Sequence, residues 1–149
     1  MNKEPGMTMI VKTVTRVSVW LIILYGLYII FHGHLTPGGG FGGGVILALA
    51  LLNVMVAYGR DYTNNWLNIK LLQDFESSSA TLFLIMGILG MAVGGSFLLN
   101  FINHGSLFRL ISSGTILPLN VIIGVKVAMS LFLVVWFLAA FKFEDGDEQ

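Results

Sequence analysis

The chain has 149 residues, with eight basic and eight acidic side chains, so its formal net charge is zero. Hydrophobic residues make up 56% of it and charged residues 11%, whereas soluble domains average about 45–50% and about 25%. These values predict a single integral membrane domain over residues 1–149 and argue against nucleic-acid binding. The absence of cysteine excludes disulfides, thiolate catalysis and cysteine metal sites.

The apolar runs predict an all-α protein with four transmembrane helices in the lipid bilayer. The first span is predicted over about 13–33, because about 20 residues are needed to cross about 30 Å of hydrocarbon. The second, over about 39–58, follows the Thr36-Pro37 step, since proline disfavours a helical conformation in the residue before it. The third and fourth are predicted over about 78–99 and 119–141, and an acidic solvated tail over 144–149.

The basic residues are distributed unequally between the two sides of these spans. Arg109 alone lies in the two loops that face one side. The termini and the middle loop hold the six that face the other side: Lys3, Lys12, Arg16, Arg60, Lys70 and Lys142. By the positive-inside rule we expect both termini to be cytoplasmic, in a prokaryotic cytoplasmic membrane.

A glycine cluster from Gly33 to Gly44 separates the first two spans, in a segment without a charged side chain from Val17 through Gly59. Its G-x-G-x-x-G match is trivial in a run of glycines, and no strand precedes it, so we do not expect a nucleotide site. Two interpretations stay open: interleaved G-x-x-x-G pairs that let helices approach closely, or a broken helix lining a wet cavity. The residues concerned are Gly38, Gly39, Gly40, Gly42, Gly43 and Gly44.

Lys126 is the formally charged residue that lies well inside a predicted span. Its stem could simply extend to the outer interface, or the side chain could belong to a proton or cation path. Ser130, four residues on, is predicted to share its helical face. All carboxylates fall in the predicted cytoplasmic segments, so we expect Lys126 to meet water, a backbone carbonyl or an acid of another subunit.

Two further residues are candidates for an ionic role. His34 could bind a metal or transfer protons near neutral pH, or act as a hydrogen-bonding residue at the interface. Glu76 could be an acid on an ion path, or cap the start of the third span. No metal site or cofactor is expected, and without a serine–histidine–acid set or paired-carboxylate motif the chain does not look like an enzyme by itself.

The run from Gly33 to Gly44 reads G-H-x-x-P-G-G-G-F-x-G-G. It resembles the signature of the MnhB domain family, which supplies the MnhB component of the Mrp-type multisubunit sodium/proton antiporters. The resemblance covers about Val11 to Phe141 and includes the end of the second span at Gly59 and Glu76 at the start of the third. It implies a four-helix, non-catalytic subunit among other antiporter-like membrane subunits of a large assembly.

Similar subunits occur in archaeal membrane-bound hydrogenases and related sulfur-reducing complexes, where an antiporter module is joined to a redox module. Members of the antiporter branch often carry an acid at the head of the last helix. This chain has Asn120 there, which favours the redox-linked branch.

The predicted function is therefore that of a membrane subunit in a complex that translocates Na+, H+ or both. Lys126, Glu76 and His34, in that order, are the predicted ion-path residues. The alternative from another class is a self-sufficient small ion transporter or channel working as a homo-oligomer. A purely structural subunit is the third possibility.

Overall fold

The computed structural model describes residues 6–35, 37–102 and 113–144, and within these ranges all regular secondary structure is helical. The helices are α1 (Met9–Phe31), α2 (Gly39–Tyr58), α3 (Arg60–Trp66), α4 (Ile69–Gly94) and α5 (Ile116–Glu144). Of these, α1, α2, α4 and α5 are long and apolar enough to cross a membrane. The predicted all-α architecture with four spans is confirmed, whereas the orientation of the termini stays a prediction.

Several predicted features lie outside the described residues. These include Lys3, Thr36, Arg109 and the last five residues of the predicted acidic tail.

The helix that contains the third predicted span, α4, begins at Ile69, nine residues before the predicted start of the span at residue 78. Asn68 caps it, its side chain accepting a hydrogen bond from the backbone N–H of Lys70 at 3.1 Å. Serines are typical of helix starts, yet the three serines after Glu76 lie inside this helix. There the Ser79 hydroxyl donates to the carbonyl of Phe75 at 2.7 Å, which is the bond open to a serine inside a helix.

The same helix ends five residues before the predicted end of the span at residue 99. The helix ends at Gly94, because Gly95 adopts a left-handed conformation with φ of 77°. The next residues then fold back onto a glycine face of α4. The Phe97 ring covers Gly87, and the Leu99 side chain covers Gly94.

The fifth helix begins at Ile116 rather than at residue 119. Pro118 therefore lies in its first turn, where the missing N–H of proline would have no intrahelical partner. Asn100 joins the end of the folded-back segment to the start of this helix. It donates to the Ser113 carbonyl at 3.1 Å and accepts from the Thr115 amide and hydroxyl at 2.9 and 2.7 Å.

The long helices pack in a row in the order α1, α2, α5 and α4. One apolar cluster joins α1 to α2 through Val19, Ala50 and Val54. Another is centred on Phe132 and Trp136 of α5 and includes Leu72 of α4. Since α4 packs mainly on α5, any polar group between these two helices lies near an open side of the protein.

Candidate ion-path site and the glycine contacts

Lys126 and Glu76 form an ion pair between α5 and α4, with the Lys126 ammonium donating to Oε1 of Glu76. Lys126 lies ten residues after the start of α5 and 13 before the end of its apolar span at Ala139. Glu76 lies seven residues inside α4, about 10 Å along the helix axis. The structure therefore brings two of the three predicted ion-path residues together inside the spanning helices.

The expectation that Lys126 meets no acid of its own chain is wrong. It assumed that Glu76 caps the third span at the membrane surface. The cap is Asn68, so the earlier start of α4 carries Glu76 into the helix.

Ser130 completes the polar site. It lies one helical turn after Lys126, and its hydroxyl donates to the same Glu76 oxygen at 3.1 Å. The prediction that Ser130 shares the face of Lys126 is confirmed. One carboxylate oxygen thus accepts both hydrogen bonds, and the side chains of Lys126 and Glu76 remain 39% and 28% exposed in the isolated chain.

A groove of about 470 Å³ runs alongside this site. It lies between α4 and α5, and its lining is apolar apart from Lys126 and Ser130. The other lining residues are Phe41, Ala80, Phe83, Ile122, Ile123, Val127 and Leu131. Lys126 is therefore accessible from this groove, which we call the ion-pair groove.

His34 lies away from the ion pair, in the turn between α1 and α2. The glycine before it, Gly33, is in contact with the Asn120 side chain. Asn120 precedes Lys126 by six residues, about 9 Å along α5. The third predicted ion-path residue is thus near the head of α5 rather than beside the Glu76–Lys126 pair. Among the described residues no cluster of His, Asp and Glu could hold a metal ion.

Two glycines of α2 bring its backbone against α5. A Cβ on Gly40 would overlap the carbonyl oxygen of Asn120, and a Cβ on Gly44 would lie 2.7 Å from the carbonyl oxygen of Gly124. These distances leave no room for a methyl group. The first turns of α2 can approach α5 this closely because they lack side chains.

A third glycine, Gly43, faces α1 instead. A Cβ there would lie 2.8 Å from the carbonyl oxygen of Gly26, which is itself a glycine facing α2. By contrast, a Cβ on Gly42 would meet nothing within 4 Å. The cluster is therefore helical and packed on two sides of α2, and its remaining side is open.

Gly38 and Gly39 have a different role, since both have positive φ, of 111° and 51°. Residues with a Cβ rarely adopt this conformation, so these two glycines form the turn that starts α2. The roles of the six glycines in function stay predictions.

Sequence reasoning placed Asn120 at the head of the last helix but missed its contact with two residues of the glycine cluster. Its amide packs against Gly33 and Gly39, and its Nδ2 atom is buried without a hydrogen-bond partner among the described residues. A polar residue at the start of a strongly apolar helix was the available signal.

Four membrane-spanning helices, joined through a glycine-rich contact and an internal ion pair, define a multi-pass protein of the cell membrane. Residues 10–133 match the family described as a domain related to the MnhB subunit of Na+/H+ antiporter. The chain belongs to this family, as the glycine signature predicted.

Relatives of known sequence agree with this assignment. An uncharacterized protein of Methanocaldococcus jannaschii is 33% identical over 91% of this chain and 53% of its own length. The putative antiporter subunits mnhB2 of Staphylococcus haemolyticus and Staphylococcus epidermidis are each 39% identical over 33% of this chain and 35% of theirs.

A solved structure is similar over most of the chain. It is a chain of the membrane-bound sulfane sulfur reductase, an archaeal respiratory membrane complex, with a TM-score of 0.75 and 32% identity. The match covers 91% of this chain and 61% of that one. The chain thus spans from about a third to three fifths of the length of these relatives.

Proposed function

We propose that the chain is a non-catalytic membrane subunit of a multisubunit complex that translocates cations or protons, of the Na+/H+ antiporter type. Membership of the MnhB-related family supports this assignment. The likeness to a chain of a respiratory membrane complex supports coupling to a redox module, such as a hydrogenase or a sulfur reductase. Its partners are then other antiporter-like membrane subunits, and its ions are Na+, H+ or both.

The observation that carries the proposal is the Glu76–Lys126 pair. Charged side chains inside membrane spans are costly, and those that persist commonly belong to ion or proton pathways. Here both charges lie within apolar helices, and the lysine also lines the ion-pair groove. A purely structural contact between α4 and α5 would be formed at lower cost by apolar side chains.

The arrangement lets the Lys126 ammonium and an incoming ion compete for one carboxylate oxygen of Glu76. Oε1 of Glu76 accepts from both the Lys126 ammonium and the Ser130 hydroxyl. When the ammonium moves into the groove, the carboxylate and hydroxyl oxygens become free to bind a hard cation or a proton. The pair would then act as a switch that admits an ion only when the lysine has moved away.

Lys126→Ala in the intact complex tests the proposal. We expect the complex still to assemble, although the unpaired Glu76 lowers the stability of the subunit. Cation or proton transport per assembled complex in proteoliposomes should fall about ten-fold or more, equivalent to about 1.4 kcal/mol of barrier. Glu76→Gln, which preserves side-chain shape, should give a similar loss. The matched control is Lys70→Ala, which removes an exposed lysine from the first turn of α4.

Full transport by an assembled Lys126→Ala complex would exclude an ionic role for this lysine. Equal losses in Lys126→Ala and Lys70→Ala would indicate a general effect of surface charge rather than of the site.

A self-sufficient homo-oligomeric transporter is the second candidate function. It is favoured by the completeness of the ion pair within one chain, because an acid from another subunit is then not needed. Reconstitution of the purified chain into liposomes separates the two. The subunit proposal predicts no flux above that of empty liposomes, whereas robust flux abolished by Lys126→Ala would establish the alternative.

A further inference from the structure

A second groove, of about 190 Å³, opens where α1, α2 and α3 meet. Its floor is apolar and consists of Val19, Ile23 and Val54, of which the two valines are buried. The buried Thr15 also lines the groove. Its rim is polar and aromatic, formed by Arg16, Trp20, Tyr58, Tyr62 and Trp66. We call it the interfacial groove.

Arg16 places a positive charge on this rim. It lies seven residues into α1, about 10 Å along the axis from the first residue. Its side chain is exposed, and no ion pair joins it to an acid in the described ranges. No acidic residue lines the groove either. A guanidinium so close to the hydrocarbon boundary favours an anion supplied from outside this chain.

The aromatic side chains place this rim at the level of the lipid headgroups. Trp20 and Trp66 are 66% and 62% exposed, and indole rings concentrate at the boundary between hydrocarbon and headgroups. Tyr58 is held in place, since it stacks on Tyr62 with ring centroids 4.8 Å apart and donates to the Lys12 carbonyl at 3.0 Å. The wall of the groove is therefore pre-formed.

We propose that the interfacial groove binds an anionic phospholipid, with the phosphate on the Arg16 guanidinium and an acyl chain along Val19, Ile23 and Val54. The guanidinium matches phosphate oxygens in charge and in its forked geometry. The Lys12 ammonium, 5.9 Å from the centre of the Tyr58 ring, adds positive charge nearby. A lipid supplies both the anion and the apolar chain that the two parts of the groove require.

Tryptophan fluorescence of the full chain in phosphatidylcholine nanodiscs tests this proposal. The background variant Trp136→Phe removes the buried third tryptophan, so emission comes from Trp20 and Trp66. A minor fraction of lipid with brominated acyl chains is added, either phosphatidylglycerol or phosphatidylcholine. We expect about five-fold stronger apparent binding of the phosphatidylglycerol, the factor equivalent to about 1 kcal/mol for one basic residue.

Three arginine variants complete the experiment. Arg16→Gln should abolish the preference, Arg16→Lys should keep most of it, and Arg60→Gln, at the same end of the protein but outside the groove, should leave it unchanged. Native mass spectrometry of lipids retained by the wild-type chain and by Arg16→Gln gives the same comparison without the Trp136 substitution.

Equal quenching by both lipids, or a preference that survives Arg16→Gln, would overturn the proposal. The same holds if neither lipid quenches Trp20 and Trp66, because the groove would then be covered by protein, such as a second copy of the chain.

Discussion

Gly40 and Gly42 lie two residues apart in α2. We expect substitution by alanine to change the stability of the protein differently at the two positions. A Cβ on Gly40 would overlap the Asn120 carbonyl oxygen and lie 3.0 Å from two other backbone atoms of that residue, whereas a Cβ on Gly42 would meet nothing within 4 Å. A backbone carbonyl cannot rotate away as a side chain can. Gly40→Ala therefore forces α2 and α5 apart, and Gly42→Ala does not.

The magnitudes follow from two contributions. Replacing glycine by alanine inside a helix stabilises it by about 1 kcal/mol, and this gain is common to both variants. Overpacking of a tight contact typically costs about 1–3 kcal/mol, and only Gly40→Ala incurs it. The two variants should therefore differ in free energy of unfolding by about 1–3 kcal/mol, with Gly42→Ala the more stable.

Thermal unfolding of the purified full chain in detergent, followed by size-exclusion chromatography, measures this difference. Each kcal/mol corresponds to about 2–4 °C for a chain of this size. Equal midpoints for the two variants would refute the close contact between α2 and α5. If Gly42→Ala is stable alone but weakens the host complex, its open side is where another subunit packs.

Three other perturbations have defined outcomes. Asn100→Ala removes the hydrogen bonds to Ser113 and Thr115 and should cost about 1–3 kcal/mol. Hydrogen exchange at the Thr115 amide, just before α5, should become faster, and unchanged exchange would contradict the bridging role of Asn100. Arg60→Ala removes a cation 5.0 Å from the centre of the Trp136 ring and should cost only about 0.5–1 kcal/mol, measured by thermal unfolding; a larger loss would indicate an additional contact. Lys126→Met should destabilise the chain more than the double variant Glu76→Gln with Lys126→Met, because only the single variant leaves an unpaired charge; additive losses in a double-mutant cycle would contradict the pairing.

Hydropathy was sufficient to predict the four-span architecture. α2 occupies the predicted residues, since its glycine-rich start and Gly59 at its end are strong local signals. The start of α4 could not be predicted as well, because the serines after Glu76 are typical of helix starts. In the structure they lie inside the helix, where the Ser79 hydroxyl donates to the Phe75 carbonyl one turn earlier.

The candidate site was predicted residue by residue but not as a pair. Lys126 is visible in sequence as a charge in an apolar run, whereas its partner depends on where α4 begins and on the antiparallel packing of α4 on α5. Neither is encoded in local composition. The contact of Asn120 with Gly33 and Gly39 is likewise a tertiary feature, since these residues are far apart in the chain.

The charge-reversed double variant Glu76→Lys with Lys126→Glu, reconstituted as the intact complex, tests the central claim most directly. The reversed pair can still join α4 to α5, so we predict normal assembly. Transport should be lost, as expected for Lys126→Ala, because an acid would then replace the lysine that lines the ion-pair groove. Recovery of both assembly and full transport would contradict this account, since it would show that the pair only holds the two helices together.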